Sequence, residues 1–425
     1  MTRPESCLAG LAVNEAGLGQ PAVLLHGSAS SGKQWRSLAL ALAERFRVVM
    51  PDLHGHGGSE PWPGLAARTL DDEIATVAAL ADRPGEPIHL VGHSFGGAVA
   101  LQFALAHPER LRSLVLIEPV AFPLLWHAGP GGRALLDKVE WLAAQVTRAA
   151  TGGTGTGMAH FVDFWNGEGA WNRMPAERRT QVERCARPIA GHFAAVLGSP
   201  ADAEALRSLQ VPTLLICGTE SPAQVRCIAG MLARLLPDVA MLRVPGAGHM
   251  LPLTHPEVVN PAIAAHLDRA AARAVRVRPL GAGDLPDIER HLLALDPADR
   301  RSRFGSAMGD VAVMAYARGI DPAQAVLFGA VDEPSGHLLG MAEAQPGEAP
   351  GKVELAVSVR AGHRRRGLGR SLVGATVAAA FRRGAEVAEF LFTPDNRAVV
   401  ALIRALDAHI ESRGLGHAAW RRQPS

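Results

Sequence analysis

Ile88-His89-Leu90-Val91-Gly92-His93-Ser94-Phe95-Gly96-Gly97 is the stretch that decides how this chain folds. Ile88–Val91 is a short apolar run of the kind that forms a buried strand, and Ala98–Ala106 after it carries a helical pattern. Between them stands Gly-x-Ser-x-Gly. A passage from strand to helix in so few residues must turn sharply, which leaves no room for side chains at Gly92 and Gly96. Ser94 then projects from the bend beside a helix start, where the Phe95 N–H can stabilise an oxyanion. The motif predicts a nucleophilic serine.

Working outward, the first two-thirds of the chain alternates short β-branched runs with helical patterns. Strands are expected at Ala22–Leu25, Val48–Met50, Ile88–Val91, Leu114–Ile117, Thr213–Cys217 and Met241–Val244. This rhythm predicts a parallel sheet covered by helices, an α/β architecture. The rhythm breaks from about 119 to 208, a stretch that holds Trp126, Trp141, Trp165 and Trp171 and a Gly/Thr tract at Thr151–Gly157. We read it as a mainly helical cap with a flexible hinge at the glycines, most of its tryptophans being accounted for by filling the cap's own core. After the last strand comes Gly246-Ala247-Gly248-His249, a glycine-lined turn. A serine hydroxyl is a poor nucleophile until an imidazole takes its proton, and His249 is the candidate base. Among the other histidines of this part, His54, His56, His93 and His255 have structural explanations.

Gly27-Ser28-Ala29-Ser30-Ser31-Gly32-Lys33-Gln34 falls one residue short of a phosphate-binding P-loop. Gln34 stands where Ser or Thr must ligate magnesium, so the nucleotide reading is set aside.

Over 21–265 these features resemble the α/β-hydrolase superfamily. The resemblance implies that His26-Gly27-Ser28 supplies a second oxyanion donor, the Ser28 N–H. It also implies an acid after the strand Thr213–Cys217, in a Gly-x-x-Asp-Pro pattern. Here that stretch reads Gly218-Thr219-Glu220-Ser221-Pro222, with serine in the place of the aspartate. Two carboxylates can substitute: Glu220, one residue early, and Glu118, at the end of Leu114–Ile117. A subset of the family, some haloalkane dehalogenases among it, places its acid at the second position. Glu118 is preferred, with Glu220 kept as the alternative. The implied activity is hydrolysis of an ester or related acyl bond in a small-molecule substrate, with no cofactor and no metal.

Near Arg269 the chain becomes rich in Ala and Arg and the pattern restarts, so the domains are expected at 1–272 and 273–425. The second reads as strand Val275–Arg278, helix Leu285–Leu295, strands Ala325–Val331, Leu338–Glu343 and Val353–Val359, helix Gly367–Arg382, strand Val387–Phe392 and helix Arg397–Glu411. This mixed order predicts an α+β domain. Arg364-Arg365-Arg366-Gly367-Leu368-Gly369 lies between a strand and a helix. Small residues there let the backbone approach an anion, successive N–H groups at the helix start bind it, and the arginines add positive charge.

These features resemble the GNAT N-acetyltransferases. The resemblance implies acetyl-CoA as co-substrate, with its pyrophosphate on Arg364–Gly369, a cofactor contact from Asn396 and Glu354 as general base toward an amine acceptor, either a small molecule or a protein lysine. The family's usual Tyr seven residues after that Asn is Ile403 here, and Tyr316 is the chain's single tyrosine. The chain is thus expected to be a bifunctional enzyme, or else a hydrolase whose second domain binds acetyl-CoA without turning it over.

Composition narrows the partners. A net charge of +2 over 425 residues gives no global field for nucleic acid or an anionic membrane. The four scattered cysteines form no Cys-x-x-Cys pair, and no apolar run approaches the roughly 20 residues needed to cross a bilayer. The first residues lack the apolar core of a secretion signal, so a cytoplasmic location is expected.

Overall fold

The structure is a computed structural model. It describes residues 10–61, 68–81, 87–153, 156–200, 202–273, 275–333, 336–365, 367–392, 396–406, 409–413 and 415–421. The chain divides between Ala271 and Ala272 into two compact units, each with its own sheet.

The first unit opens with β1 (Val13–Ala16), β2 (Gln20–Leu25), α1 (Arg36–Leu42), β3 (Phe46–Pro51), α2 (Leu70–Leu80), β4 (Ile88–His93), α3 (Phe95–Ala106) and β5 (Leu111–Ile117). Five helices follow: α4 (Gly129–Ala150), α5 (Thr156–Asn166), α6 (Ala170–Arg173), α7 (Ala176–Arg184) and α8 (Ala186–Leu197). The sheet resumes through α9 (Ala203–Ser208), β6 (Thr213–Gly218), α10 (Ala223–Leu235) and β7 (Val239–Val244), and the unit ends in α11 (Leu251–Thr254) and α12 (Pro256–Arg273). The strand order is β1-β3-β2-β4-β5-β6-β7; β1 is antiparallel to β3 and the other neighbours are parallel. β1 lies outside the strands expected from sequence, because its exposed Val13-Asn14-Glu15 lacks an apolar run.

β2, β4, β5 and β6 are buried at every residue, as strands covered on both faces must be, and this is why they read as continuous apolar runs. Register then fixes the site. Gly92 and His93 of β4 lie beside Leu116 and Ile117 of β5, and Ile117 lies beside Ile216 of β6. The residues after β4, β5 and β6 therefore emerge together at the carboxyl edge of the sheet, where open α/β sheets bind ligands.

The stretch between β5 and β6 is the mainly helical cap, and it shares one apolar core with α3 and β4. Its tryptophans do not all fill that core: Trp126 and Trp141 are exposed, while Trp165 is buried. Thr154 and Gly155 of the expected hinge lie outside the described residues.

The second unit contains β8 (Val275–Pro279), α13 (Leu285–Leu293), α14 (Pro297–Phe304), α15 (Asp310–Gly319), β9 (Val326–Asp332), β10 (Leu338–Pro346), β11 (Lys352–Val359), α16 (Leu368–Arg382), β12 (Val387–Phe392), α17 (Arg397–Arg404), β13 (His409–Arg413) and β14 (Leu415–Arg421). Its sheet runs β13-β14-β12-β11-β10-β9-β8, antiparallel except for β11 beside β12. That one parallel pairing extends only from Lys352↔Val387 to Leu355↔Phe390. The helix expected over Arg397–Glu411 ends at Arg404. Glu411 instead lies in β13, because β14 pairs along the open edge of β12 and β13 pairs with β14. Sheet pairing here overrides local helical periodicity. Helices α14 and α15 were not foreseen. Among the described residues no helix is long and apolar enough to cross a membrane.

Candidate active sites

The bend after β4 is as tight as its glycines require. A Cβ on Gly92 would lie 2.2 Å from the Gly96 carbonyl oxygen, and one on Gly96 would lie 2.5 Å from that of Leu25. Ser94 sits at φ 56°, ψ −116°, a conformation that non-glycine residues rarely adopt. Its N–H donates to the Ile117 carbonyl at 3.0 Å, so β5 holds the bend in place.

Ser94 Oγ lies 3.0 Å from Nε2 of His249, and Nδ1 of the same ring lies 2.6 Å from Glu118 Oε2. With Nδ1–H donating to the carboxylate, Nε2 carries the lone pair that faces the hydroxyl. All three side chains are buried. Glu118 leaves β5 at φ 46°, and its Oε1 accepts from the Gly218 N–H at 2.7 Å and from the Ser221 hydroxyl. Burial pushes the Glu118 carboxyl up, but the His249, Ser221 and Gly218 donors outweigh it and hold the group below its ordinary range. The alternative acid, Glu220, does not reach His249. Glu220 is exposed and its N–H is bound to the Ala247 carbonyl at 2.9 Å, while Glu118 occupies the place beside the imidazole. Ser221, at the position where the α/β-hydrolase pattern has aspartate, serves as a donor to the substituted acid.

The turn at Ser28 is fixed by neutral histidines. His26 Nδ1–H donates to the Gly27 carbonyl at 2.8 Å, and its Nε2 accepts from the Leu53 N–H at 2.9 Å. His56 Nε2 accepts from the Ala29 N–H at 3.1 Å. Burial is the main cause that lowers His26 to about 3 and His56 to about 4. Among the described residues the Ser28 and Phe95 N–H groups have no acceptor within the protein, which leaves both available to a ligand oxygen.

Several residues around this centre went unread in the sequence. Gln34 Nε2 donates to His93 Nδ1 at 3.1 Å, which leaves His93 Nε2–H to donate to the His249 carbonyl at 2.9 Å. The residue that spoils the P-loop pattern thus steadies the loop carrying His249. His93 is pushed to about 3, first by burial and next by His249. From the cap, Trp165 stacks on the His249 ring at 3.9 Å, and His192 stacks on Phe95 at 3.5 Å with its Nδ1 2.7 Å from Ser28 Oγ. Only the tryptophan content of the cap hinted at such contacts. A cavity of about 290 Å³ opens onto Ser94 and His249, walled by Val120, Phe122, Phe161 and Phe193.

A second cavity, of about 840 Å³, lies within the second unit. Arg364, Arg365, Gly367, Leu368, Gly369 and Asn396 all line it; Arg366 lies outside the described residues. Gly367 is left-handed at φ 79° and a Cβ there would meet nothing, so the backbone that opens the 15-residue helix α16 is accessible. Open N–H groups at a helix start beside arginines fit a pyrophosphate. Asn396 Oδ1 caps α17 by accepting from the Val399 N–H at 3.1 Å, and its Nδ2 donates to Ser302 Oγ at 2.5 Å. Arg364 is already engaged by Asp299 and by the Val359 carbonyl.

Glu354 does not stand where a general base toward the acceptor is expected. It is exposed, sits in the paired half of β11 opposite Glu389, and does not line the cavity, so its position does not support a general base acting there. Val357, Ser358 and Val359, beyond the last residue paired with β12, do line it. Ser358 Oγ donates to His291 Nε2 at 2.9 Å, while His291 Nδ1–H donates to the Leu338 carbonyl at 3.2 Å. Burial, reinforced by Arg360, lowers His291 to about 3. Ile403 is buried in the apolar core, and the Tyr316 hydroxyl donates to Glu343, so neither presents a phenol to the cavity.

A family model described as alpha/beta hydrolase fold matches residues 21–256, and one described as acetyltransferase (GNAT) family matches 290–407. The chain is 45% identical to lipase LipV of Mycobacterium tuberculosis over 96 residues, 22% of this chain and 35% of that protein. It is 29% identical to N-formylmaleamate deformylase of Pseudomonas putida over 238 residues, 56% of this chain and 84% of that protein. Among solved structures, a thermophilic esterase from Thermogutta terrifontis matches with a TM-score of 0.51 and 27% identity, covering 61% of this chain and 93% of that one.

Proposed function

The chain belongs to the α/β-hydrolase fold family and carries a GNAT acetyltransferase region behind it; from that premise we propose that its first unit hydrolyses an ester or related acyl bond through Ser94, His249 and Glu118. The carrying observation is the unbroken relay from Ser94 Oγ through both nitrogens of His249 to Glu118. In this reading Nε2 takes the hydroxyl proton as Oγ attacks the carbonyl carbon. The Ser28 and Phe95 N–H groups receive the oxyanion. Glu118 stabilises the imidazolium, which then protonates the leaving group. The same nitrogen next activates water to release the acid and restore Ser94. The apolar walls of the cavity fit the acyl portion of a small molecule. The relatives named lipase, deformylase and esterase accord with cleavage of a carbonyl–heteroatom bond.

A fluorophosphonate probe tests the reading. Ser94 should be labelled in the intact protein, Ser94→Ala should abolish labelling, and ester hydrolysis should fall by about 10⁴-fold or more. An unlabelled, correctly folded wild type would count against it.

For the second unit we propose acetyl transfer to an amine, with acetyl-CoA held by Gly367, Leu368, Gly369, Arg365 and Asn396. Bound there, acetyl-CoA would supply the activated acyl group. The protein's part is to seat the pyrophosphate on open N–H groups and to shape the cavity beside Ser358. The absence of a phenol at Ile403 favours a second reading, binding without fast turnover. Acetyl-CoA consumption with an amine panel, set beside the thermal shift produced by acetyl-CoA alone, separates the two.

A further inference from the structure

The cavity over Ser94 is almost wholly apolar or neutral. Among its lining residues there is no aspartate or glutamate, and the one side chain with a permanent charge is Arg178 of α7. Most other arginines with strong side-chain contacts meet carboxylates: Arg133 pairs with Asp137 and Glu140, Arg278 with Asp284 and Arg318 with Glu289. Arg178 instead donates to the neutral Gln181 Oε1 at 3.1 Å, and among the described residues no carboxylate lies within ion-pair distance of it. Asn166, from the end of α5, lines the same cavity.

Resting on the hydrolase reading above, we propose that this site selects a small acyl substrate bearing a carboxylate away from the scissile bond, and that Arg178 recognises that carboxylate. A guanidinium offers two parallel N–H donors that match a carboxylate, and because Arg178 both lines the cavity and is exposed, it would meet that carboxylate at the solvent side, where salt screens the pair. One guanidinium balances one negative charge, which fits a monoanionic carboxylate better than a phosphate dianion. The volume of about 290 Å³ lies at the small end for ligand sites, so the occupant is a small molecule. The apolar walls take a short aliphatic or aromatic link between the two ends. Arg178 is here a specificity-determining residue and takes no part in bond cleavage.

The test compares two esters of one shape, monomethyl adipate and dimethyl adipate, with adipate as a blocker of fluorophosphonate labelling at Ser94. The wild type should favour the monoester by about tenfold in kcat/KM, chiefly through KM, and adipate should slow labelling more than hexan-1-ol does. Arg178→Gln should collapse the monoester-to-diester ratio and remove the adipate effect, whereas Arg178→Lys should keep part of both. Added salt should reduce the ratio. Equal kcat/KM for the two esters together with equal protection by adipate and hexan-1-ol would overturn the proposal and leave the hydrolase reading intact. An unlabelled Ser94 in folded protein would instead remove the hydrolase reading, and this inference with it.

Discussion

The two cavities of this chain are built on opposite plans. Around Ser94 the polar groups leave adjacent strand ends or tight turns, lie buried, and hold one another in a closed chain from Gln34 through His93 to His249 and on to Glu118. Around Ser358 the lining comes from loops, helix starts and the half of β11 that β12 leaves uncovered, and several of its arginines are exposed. The first plan fixes a chain of hydrogen bonds through the protein's own buried groups, at the cost of strained backbone at Ser94 and Glu118. The second presents a broad, partly exposed wall around a cavity of about 840 Å³. The difference teaches where function is concentrated: in a few rigid atoms in one unit, and over a broad wall in the other.

The sharpest way to break this comparison is at the acid. Glu118→Gln should lower the hydrolytic kcat by about 10³- to 10⁴-fold, because the amide can present its N–H to His249 and reverse the tautomer. Glu220→Gln, at an exposed side chain, should stay within about twofold. Rates on one ester for the two variants decide the matter. Equal losses would mean that the buried relay is not the working one.

Acid stability should also divide the two units. In the first, burial lowers His26 and His93 to about 3 and His54 and His56 to about 4. In the second, His291 is lowered to about 3 in the same way. The sign follows from proton uptake. Below the ordinary histidine value of about 6.5 the unfolded chain takes up protons that the folded chain refuses, so stability is complete above that pH and is lost as pH falls toward 3 to 4. Each such histidine contributes up to about 1.4 kcal/mol per pH unit. Glu118, whose value is lowered, keeps its contribution down to the ordinary carboxylate value of about 4.5 and loses it only below, so it adds nothing to a comparison between pH 7 and pH 5. Hydrogen exchange at pH 7 and pH 5, corrected for intrinsic rates, should therefore show peptides from β4 and β5 losing more protection than peptides from β9 and β10.

How far each site could be read from the sequence follows the same division. Gly92 and Gly96 exist because a Cβ would strike backbone, so the bend that presents Ser94 is written in residue type. The same holds for the apolar runs of β2, β4, β5 and β6, and for His249 on its glycine turn. Glu118 was legible only as one of two candidates, because its role depends on β5 lying beside β6, which is a matter of register. Trp165 and His192 come from a cap whose docking no local pattern encodes. In the second unit the glycine loop was legible for a different reason: Gly367 is left-handed at φ 79° with open space around it, a conformation that favours glycine and leaves the backbone approachable. The end of α17 was not, since the pairing of β14 with β12 decided it. Glu354 was chosen by its place along a strand, yet the wall of the cavity begins only after the pairing of β11 with β12 stops at Leu355.

The smallest expected effect is therefore the most informative about the second plan. Glu354→Gln should change acetyl-CoA consumption by less than about twofold and leave the acetyl-CoA thermal shift unaltered, as a substitution on an exposed strand position does. Ser358→Ala removes a hydroxyl that lines the cavity and leaves His291 Nε2 without its donor, so it should alter the acetyl-CoA response several-fold. The thermal shift reads binding even where turnover is slow, which keeps the comparison meaningful under either reading of this unit. A loss of consumption confined to Glu354→Gln, with binding intact, would mean that a proton leaves the acceptor along a path starting outside the cavity wall. The divergence of β11 from β12 would then mark where acetyl-CoA sits but not where the proton goes.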